Sequence, residues 1–260
     1  MQPGCHLSGA TACASRPDRG AWVEFRLAPR RTRMAKRTIV ITGGAGILGQ
    51  AVAGRAVAAG CQVALIDRAP IADDDSLAGH LRLGGVDLTD RESAGAAFAA
   101  IATEFGGFDV LMNIAGGFIW ETLEGGKVES WERMFAINVQ TAVTACQAAM
   151  PWLCESASGR IVNVGAAGAI KSDVGMGAYA ASKAGVARLT ESLSRELLGK
   201  VTVNAVLPSV LDTPTNRADM PDADPADWVA PEDLAAVMLF LASEEACAVT
   251  GALLPVTGRV

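Results

Sequence analysis

Short apolar runs alternate with longer stretches of helical spacing along most of the chain. Residues 38–42, Thr-Ile-Val-Ile-Thr, form a compact apolar run closed by glycine, which predicts a buried strand. Similar runs at 62–66, 108–112, 160–164, 201–207 and 253–256 predict further strands, and 80–86 predicts a weaker one. Between them, apolar spacing predicts helices over 50–59, from Thr89 or Asp90 to about 105, over 130–153, 177–198 and 232–243. Gly60 suits a left-handed cap after the first helix. Gly95 inside the second costs about 1 kcal/mol relative to alanine. Pro151 is expected to interrupt the long helix near its end, and Pro208 to stop the sixth strand. Residues 71–79 read as an acidic solvated loop, and 209–230, rich in Pro and Asp, as a mobile flap. Strand and helix alternate throughout, which predicts an α/β fold with a parallel sheet covered on both faces.

Charge separates the first 33 residues from the rest. Six arginines there face only Asp18 and Glu24, a net +4, against −10 for residues 34–260. This segment has no apolar periodicity and no signal-peptide run, and Met34 stands just before the first strand. It is expected to be a disordered or non-native extension, with an Arg-rich transit segment as the alternative. Residues 34–260 are then expected to form a single domain. The chain is 50% apolar and 5% aromatic, so the core is aliphatic. The acidic body argues against nucleic acid as a partner. No uncharged run reaches the ~20 residues of a membrane span. The six cysteines show no C-x-x-C spacing, and His6 and His80 lack neighbouring ligands. No metal is expected, and reduced thiols point to the cytoplasm.

Candidate chemistry begins at Thr42-Gly43-Gly44-Ala45-Gly46-Ile47-Leu48-Gly49. A glycine turn between strand and helix lets backbone approach a pyrophosphate, whose charge suits the free N–H groups of the helix start. An Ala/Gly-rich turn that binds nothing would look similar. Asp67 follows the second strand, 24 residues after Gly43, where a carboxylate meets an adenosine ribose 2′-OH and repels a 2′-phosphate. That favours NAD, while Arg68 beside it keeps NADP open; Asp67 could also be an ordinary turn residue. Asp87-Leu88 closes the third strand. The fourth runs into Asn113-Ile114-Ala115-Gly116-Gly117, small residues that leave room for a flat ligand. Tyr179, the only tyrosine, lies one helical turn before Lys183. A nearby ammonium would lower the phenol's pKa and make it an acid/base near neutral pH. The same pair could be surface decoration.

With these motifs in order, residues 37 to about 258 resemble the short-chain dehydrogenase/reductase family. The resemblance rests on the Thr42–Gly49 loop, Asp67, Asp87, Asn113-Ile114-Ala115-Gly116, Asn138, Tyr179-x-x-x-Lys183 and Pro208 with Thr213. It implies a doubly wound, Rossmann-type sheet of about seven strands and hydride transfer with a nicotinamide cofactor. It also implies that Tyr179 moves the proton, that Lys183 binds the nicotinamide ribose, that Asn138 holds a relay water and that Thr213 contacts the carboxamide. Gly43, Gly46, Ile47, Leu48, Gly49, Asp67, Asp87, Leu88, Asn113, Ala115, Gly116 and Pro208 would complete the cofactor site. A homodimer or homotetramer is also implied, through the long helix and the 177–198 helix.

Two departures stand out. Ile47 stands where compact members carry glycine. Ala166 stands where the family's serine lies, 13 residues before the tyrosine. Losing that hydroxyl can cost a ketone reductase about 10²–10³-fold. Three readings remain: a nucleotide-binding scaffold without catalysis, Ser172 reaching in as a substitute, or a substrate that is not a simple ketone. The third has sequence support. The glycine loop, Ala115-Gly116-Gly117 before an aromatic, Gly165-Ala166, Gly175-Met176 and the segment from Leu207-Pro208 to Ala223-Asp224 resemble the quinonoid dihydropteridine reductase branch. Phe118 or Trp120 could stack on a flat heterocycle beside Ala166, or simply pack in the core or flap. Asn216 and Arg217 could face the substrate or staple the flap. A general carbonyl or 3-oxoacyl-thioester reductase is the alternative activity.

Overall fold

The computed structural model describes residues 37–72 and 79–259. The expectation for residues 1–33 lies outside them, as does most of the acidic 71–79 loop. Seven strands form one parallel sheet: β1 (Thr38–Thr42), β2 (Gln62–Ile66), β3 (Leu81–Leu83), β4 (Val110–Asn113), β5 (Gly159–Val164), β6 (Val201–Pro208) and β7 (Leu253–Val256). Their order is β3-β2-β1-β4-β5-β6-β7. The chain winds outward from β1 through β2 to β3, then returns to the other side of β1 as β4. The crevice beyond β1 and β4 is therefore the topological switch point, where ligands bind in open α/β sheets. Thr42 is level with Ile66 on one side and Asn113 on the other, so these strands end together.

The helices are α1 (Ile47–Ala58), α2 (Arg91–Phe105), α3 (Val128–Phe135), α4 (Thr141–Glu155), α5 (Gly177–Glu196), α6 (Pro214–Asp219) and α7 (Pro231–Ala242). Alternation along each strand assigns the layers. Ile39 and Ile41 pack with Val52 and Ala56 of α1 and Leu234 and Met238 of α7. Val40 between them packs with Phe98 and Ile101 of α2, Ala149 and Leu153 of α4, and Leu193 of α5. Both faces are covered by aliphatic side chains, as the pattern predicts.

Three boundaries differ from the pattern. The first helix starts at Ile47 rather than 50, which brings Ile47, Leu48 and Gly49 into its first turn. The long helix is irregular at residues Ala136–Gln140, a π-helical turn between α3 and α4, while Pro151 sits inside α4 without ending it. The 209–230 segment carries regular structure. Thr213 caps α6 by accepting from Asn216 N, Asp224 accepts from Ala226 N, and each cap is followed by proline at the first helical position. Asp212 N and Val229 N bond across the segment's base, to Val229 O and Val210 O.

Candidate active site

At the end of β1 the backbone turns through Gly43 with φ +71°. A Cβ there would lie 2.8 Å from Ala115 N, and one at Gly49 only 2.2 Å from Gly43 O. Glycine at both positions lets the β1 turn, the β4 turn and the start of α1 nest together. Gly46 is the N-cap of α1, with no side-chain cap and no acid in the first turn. The N–H groups of Ile47, Leu48 and Gly49 therefore lack intrahelical acceptors at the positive end of the helix dipole. This donor set suits a pyrophosphate. Ile47 is exposed, and its N–H belongs to this donor set whatever its side chain. Thr42 Oγ1 accepts from Ile114 N (3.1 Å) and Ala115 N (3.2 Å), pinning the β4 turn in place. Asp67 accepts from Ala45 N and Ala69 N, both at 2.9 Å, so its carboxylate sits against the glycine loop.

Other expected cofactor contacts look elsewhere. Asn113 is buried and faces the α4 layer, donating to Asn163 Oδ1 (2.9 Å) and Cys146 Sγ (3.2 Å). Strand alternation turns its side chain away from the crevice, and its Oδ1 has no partner among the described residues. Leu88 is likewise buried in the α2 layer. Asp87 accepts from Thr89 N (2.8 Å) and Thr89 Oγ1 (2.7 Å), and these bonds hold its carboxyl below the usual range. Pro208 ends β6 at the same edge of the sheet as the crevice, and Thr213 follows as the α6 cap.

Tyr179 lies in the first turn of α5. Lys183 follows one turn on, buried, and its Nζ donates to Val164 O at 2.8 Å. That anchor corrects one expectation. Lys183 does not hold the phenol down; burial alone acts on Tyr179 and pushes it up to about 12. Burial also pushes Lys183 down to about 8. The i, i+4 spacing puts the two on one helix face, but the lysine stem runs inward to β5. The Tyr179 ring meets Phe118 edge-on, with centroids 4.9 Å apart at 83°. Trp120, between β4 and α3, packs against the loop before α5: a Cβ at Gly175 would fall 2.2 Å from its Cε2, and Glu121 N donates to Gly175 O.

Asn138 sits in the π-turn, buried. Its Oδ1 accepts from Gly117 N (2.9 Å), and its Nδ2 donates to Gly117 O (3.0 Å) and Ser182 Oγ (2.9 Å). A Cβ at Gly116 would fall 2.4 Å from Asn138 Oδ1 and 3.4 Å from Lys183 Nζ. Ala115-Gly116-Gly117 thus joins the glycine cradle to the tyrosine–lysine helix in one crevice. Ala166 is buried just after β5. Ser172 does not replace the serine: it is exposed, and its hydroxyl donates to Asp173 O at 3.3 Å. Asn216 donates to Leu211 O (2.8 Å) and Arg217 forks onto Asp212. Both bonds staple the flap, the second of the two readings that the sequence leaves open. Ser182 was missed; a hydroxyl three residues after Tyr179 was its only signal.

A dinucleotide cradle, a switch-point crevice and a buried Tyr–Lys helix together define a Rossmann-type oxidoreductase. The sequence pattern of the short chain dehydrogenase family matches residues 37–224. The chain belongs to that family and is an NAD(P)-dependent oxidoreductase. It is 32% identical over 241 residues to 2,5-dichloro-2,5-cyclohexadiene-1,4-diol dehydrogenase LinX of Sphingobium indicum, covering 87% of this chain and 96% of that one. It is 32% identical over 234 residues to the 3-oxoacyl-[acyl-carrier-protein] reductase FabG of Vibrio cholerae, covering 85% and 96%. Among solved structures, carveol dehydrogenase from Mycobacterium avium in complex with NAD superimposes with a TM-score of 0.77 at 26% identity, covering 87% and 98%.

Proposed function

We propose that this chain is an NADH-dependent reductase of a flat, conjugated ring, with a quinonoid dihydropterin as the compound to try first. The observation that carries this reading is Ala166, with Ser172 turned away. Among the described residues the crevice then offers the Tyr179 phenol beside the Lys183 ammonium, and no serine at position 166 to polarise a ketone. A ketone becoming an alkoxide would want that second donor. A conjugated ring spreads the incoming electron pair over several atoms and needs it less. Phe118, edge-on to Tyr179, supplies an apolar wall for such a ring, and the exposed Trp120 a second aromatic surface at the mouth.

The cradle fits a nicotinamide dinucleotide, which would supply the hydride when bound. Ile47, Leu48 and Gly49 would hold its pyrophosphate through their N–H groups, with Gly43 and Gly46 allowing close approach. Asp67 would accept from the adenosine ribose and disfavour a 2′-phosphate, giving NAD preference. Ala115 and Gly116 would floor the nicotinamide end, Lys183 would reach its ribose, and Pro208 and Thr213 would border it. Asp87 and Leu88 would offer backbone to the adenine side, and Asn113 would act through its backbone. Tyr179 is neutral at pH 7, as an ordinary phenol is, and burial moves its ionisation further above that pH. Its O–H is therefore the proton source for reduction. Asn138 is a positioning residue, since its amide is committed to Gly117 and Ser182. The enzyme would work in the cytoplasm as a homodimer or homotetramer.

A second reading has its own support. The names of LinX and FabG concern a ring diol and a 3-oxoacyl thioester. The test is NADH oxidation with quinonoid dihydropterin beside acetoacetyl thioester, and NAD⁺ reduction with cyclic alcohols. Turnover of the pterin supports the proposal. Turnover of only the thioester or the alcohol moves the chain to the second reading. NADH binding without any turnover leaves a scaffold.

A further inference from the structure

Among the described residues none hydrogen-bonds the Tyr179 phenol, so something else must fix the ring. Contacts around it close into a circuit. The Tyr179 ring rests against Phe118. Phe118 follows Gly117, whose N–H and C=O are both clasped by the Asn138 amide. Asn138 Nδ2 donates to Ser182 Oγ at 2.9 Å, and Ser182 Oγ donates to Tyr179 O at 2.7 Å. The circuit thus returns to the residue where it began. Ser182 is 2% exposed. A buried helical serine that only bonds back to its own helix is ordinary. Ser182 differs because its oxygen also receives a bond from another segment, the π-turn.

We propose that Ser182 is a positioning residue: its hydroxyl ties the backbone of Tyr179 to Asn138, and through Gly117 sets Phe118 against the tyrosine ring. Removing the hydroxyl strands one Asn138 N–H in a buried place. The amide can then turn, loosening Gly117 and letting Phe118 leave the ring. The phenol becomes wetter and less fixed.

The proposal deepens the role given to Tyr179 above, but its test does not need a substrate. Tyr179 is the only tyrosine in the chain, so tyrosinate absorbance reads this one phenol. Folded wild-type protein, checked by circular dichroism at each pH, is expected to stay mostly un-ionised at pH 11. Ser182→Ala is expected to titrate about one unit lower, as water relieves the burial. Ser182→Thr keeps the hydroxyl and is expected to return towards wild type. A Ser182→Ala phenol that titrates with wild type overturns the proposal. So does a Ser182→Thr phenol that stays with Ser182→Ala. With a turned-over substrate in hand, Ser182→Ala should lower kcat about ten-fold and leave NADH affinity within two-fold. Unchanged NADH affinity with a shifted phenol supports the positioning role even if the substrate class proposed above fails.

Discussion

At the starting ends of β1, β4 and β5, buried polar groups answer one another. Arg37 donates to Ala242 O, Ser158 O and Ser158 Oγ, so it caps the C-terminus of α7. Arg160 reaches Ser243 O and Gly159 O. Asp109 accepts from Thr38 N at 3.0 Å and Ser156 Oγ at 2.7 Å. Among the described residues, Arg37 Nε is left without a partner there, as is Thr202 Oγ1 beside Arg160 at the start of β6. At the finishing ends of the same strands, polar groups are left open to the crevice. The α1 N–H groups have no cap, the Tyr179 phenol has no hydrogen bond among the described residues, and Lys183 carries its charge with one carbonyl beside it. Groups closed on each other hold a fold together. Groups held open at some cost to stability are what a ligand can use.

The largest expected effect tests the open end. Tyr179→Phe removes a proton donor that makes no bond among the described residues. Turnover should fall about 10²–10⁴-fold. Stability should stay within about 0.5 kcal/mol, because the ring contact with Phe118 survives. Steady-state kinetics and a urea melt on the same sample check both halves. A variant as fast as wild type ends the acid role.

Next comes the closed end. Arg37→Met strips donors from Ala242 and Ser158 and leaves the Asp109 charge less compensated. Stability should drop by about 3 kcal/mol, the scale for breaking a buried charged network. The turnover of the remaining folded protein should not change. A loss of turnover larger than the unfolded fraction would blur the division between the two ends.

This division was only partly legible in the sequence. Thr38–Thr42 and Gln62–Ile66 read correctly because both faces of a central parallel strand are apolar. The π-turn was hidden, since Ala136-Ile137-Asn138-Val139-Gln140 continues a helical pattern and only packing inserts the extra residue. Tyr179 and Lys183 were visible as a pair, but not the direction of the lysine. Spacing gives proximity along a helix; the depth of β5 beneath it decides where a long stem ends. The motif at Asn113 marks the position but not the atoms: alternation along β4 turns its side chain to the other layer, towards Asn163 and Cys146. Arg37 and Arg160 carried no sequence signal, because their partners are backbone carbonyls far along the chain.

Lys183 sharpens the contrast through pH. Its folded value, about 8, lies below its ordinary 10.5. Below pH 8 the ammonium is charged in both states, and the full burial cost is present. Between pH 8 and 10.5 the folded chain sheds a proton that the unfolded chain keeps, so the cost fades as pH rises. Lys183→Met removes the charge throughout. At pH 7 it should be more stable than wild type by about 2 kcal/mol: roughly 3 from the displaced pKa, less about 1 for the Val164 carbonyl bond. By pH 10 the gap should have mostly closed. Urea melts at the two values read it, and a gap that widens with pH would mean that Lys183 is not held as a strained charge.

Asp67 belongs to neither end entirely, which makes it the smallest and most discriminating case. Its carboxylate closes the glycine loop by accepting from Ala45 N and Ala69 N, and the ribose contact proposed above would use the same carboxylate. Asp67→Ala removes both the bonds and the charge. Asp67→Asn keeps one acceptor oxygen and removes the charge alone. If charge selects the coenzyme, both variants should lose about ten-fold in preference for NADH over NADPH, measured as a ratio of binding constants. If the bonds hold the loop, only Asp67→Ala should also bind NADH more weakly. An unchanged ratio in both would pass coenzyme choice to a neighbour, with the Arg68 guanidinium the first to examine. A ratio that moves in Asp67→Ala but not in Asp67→Asn would show that loop shape, rather than repulsion, excludes the extra phosphate.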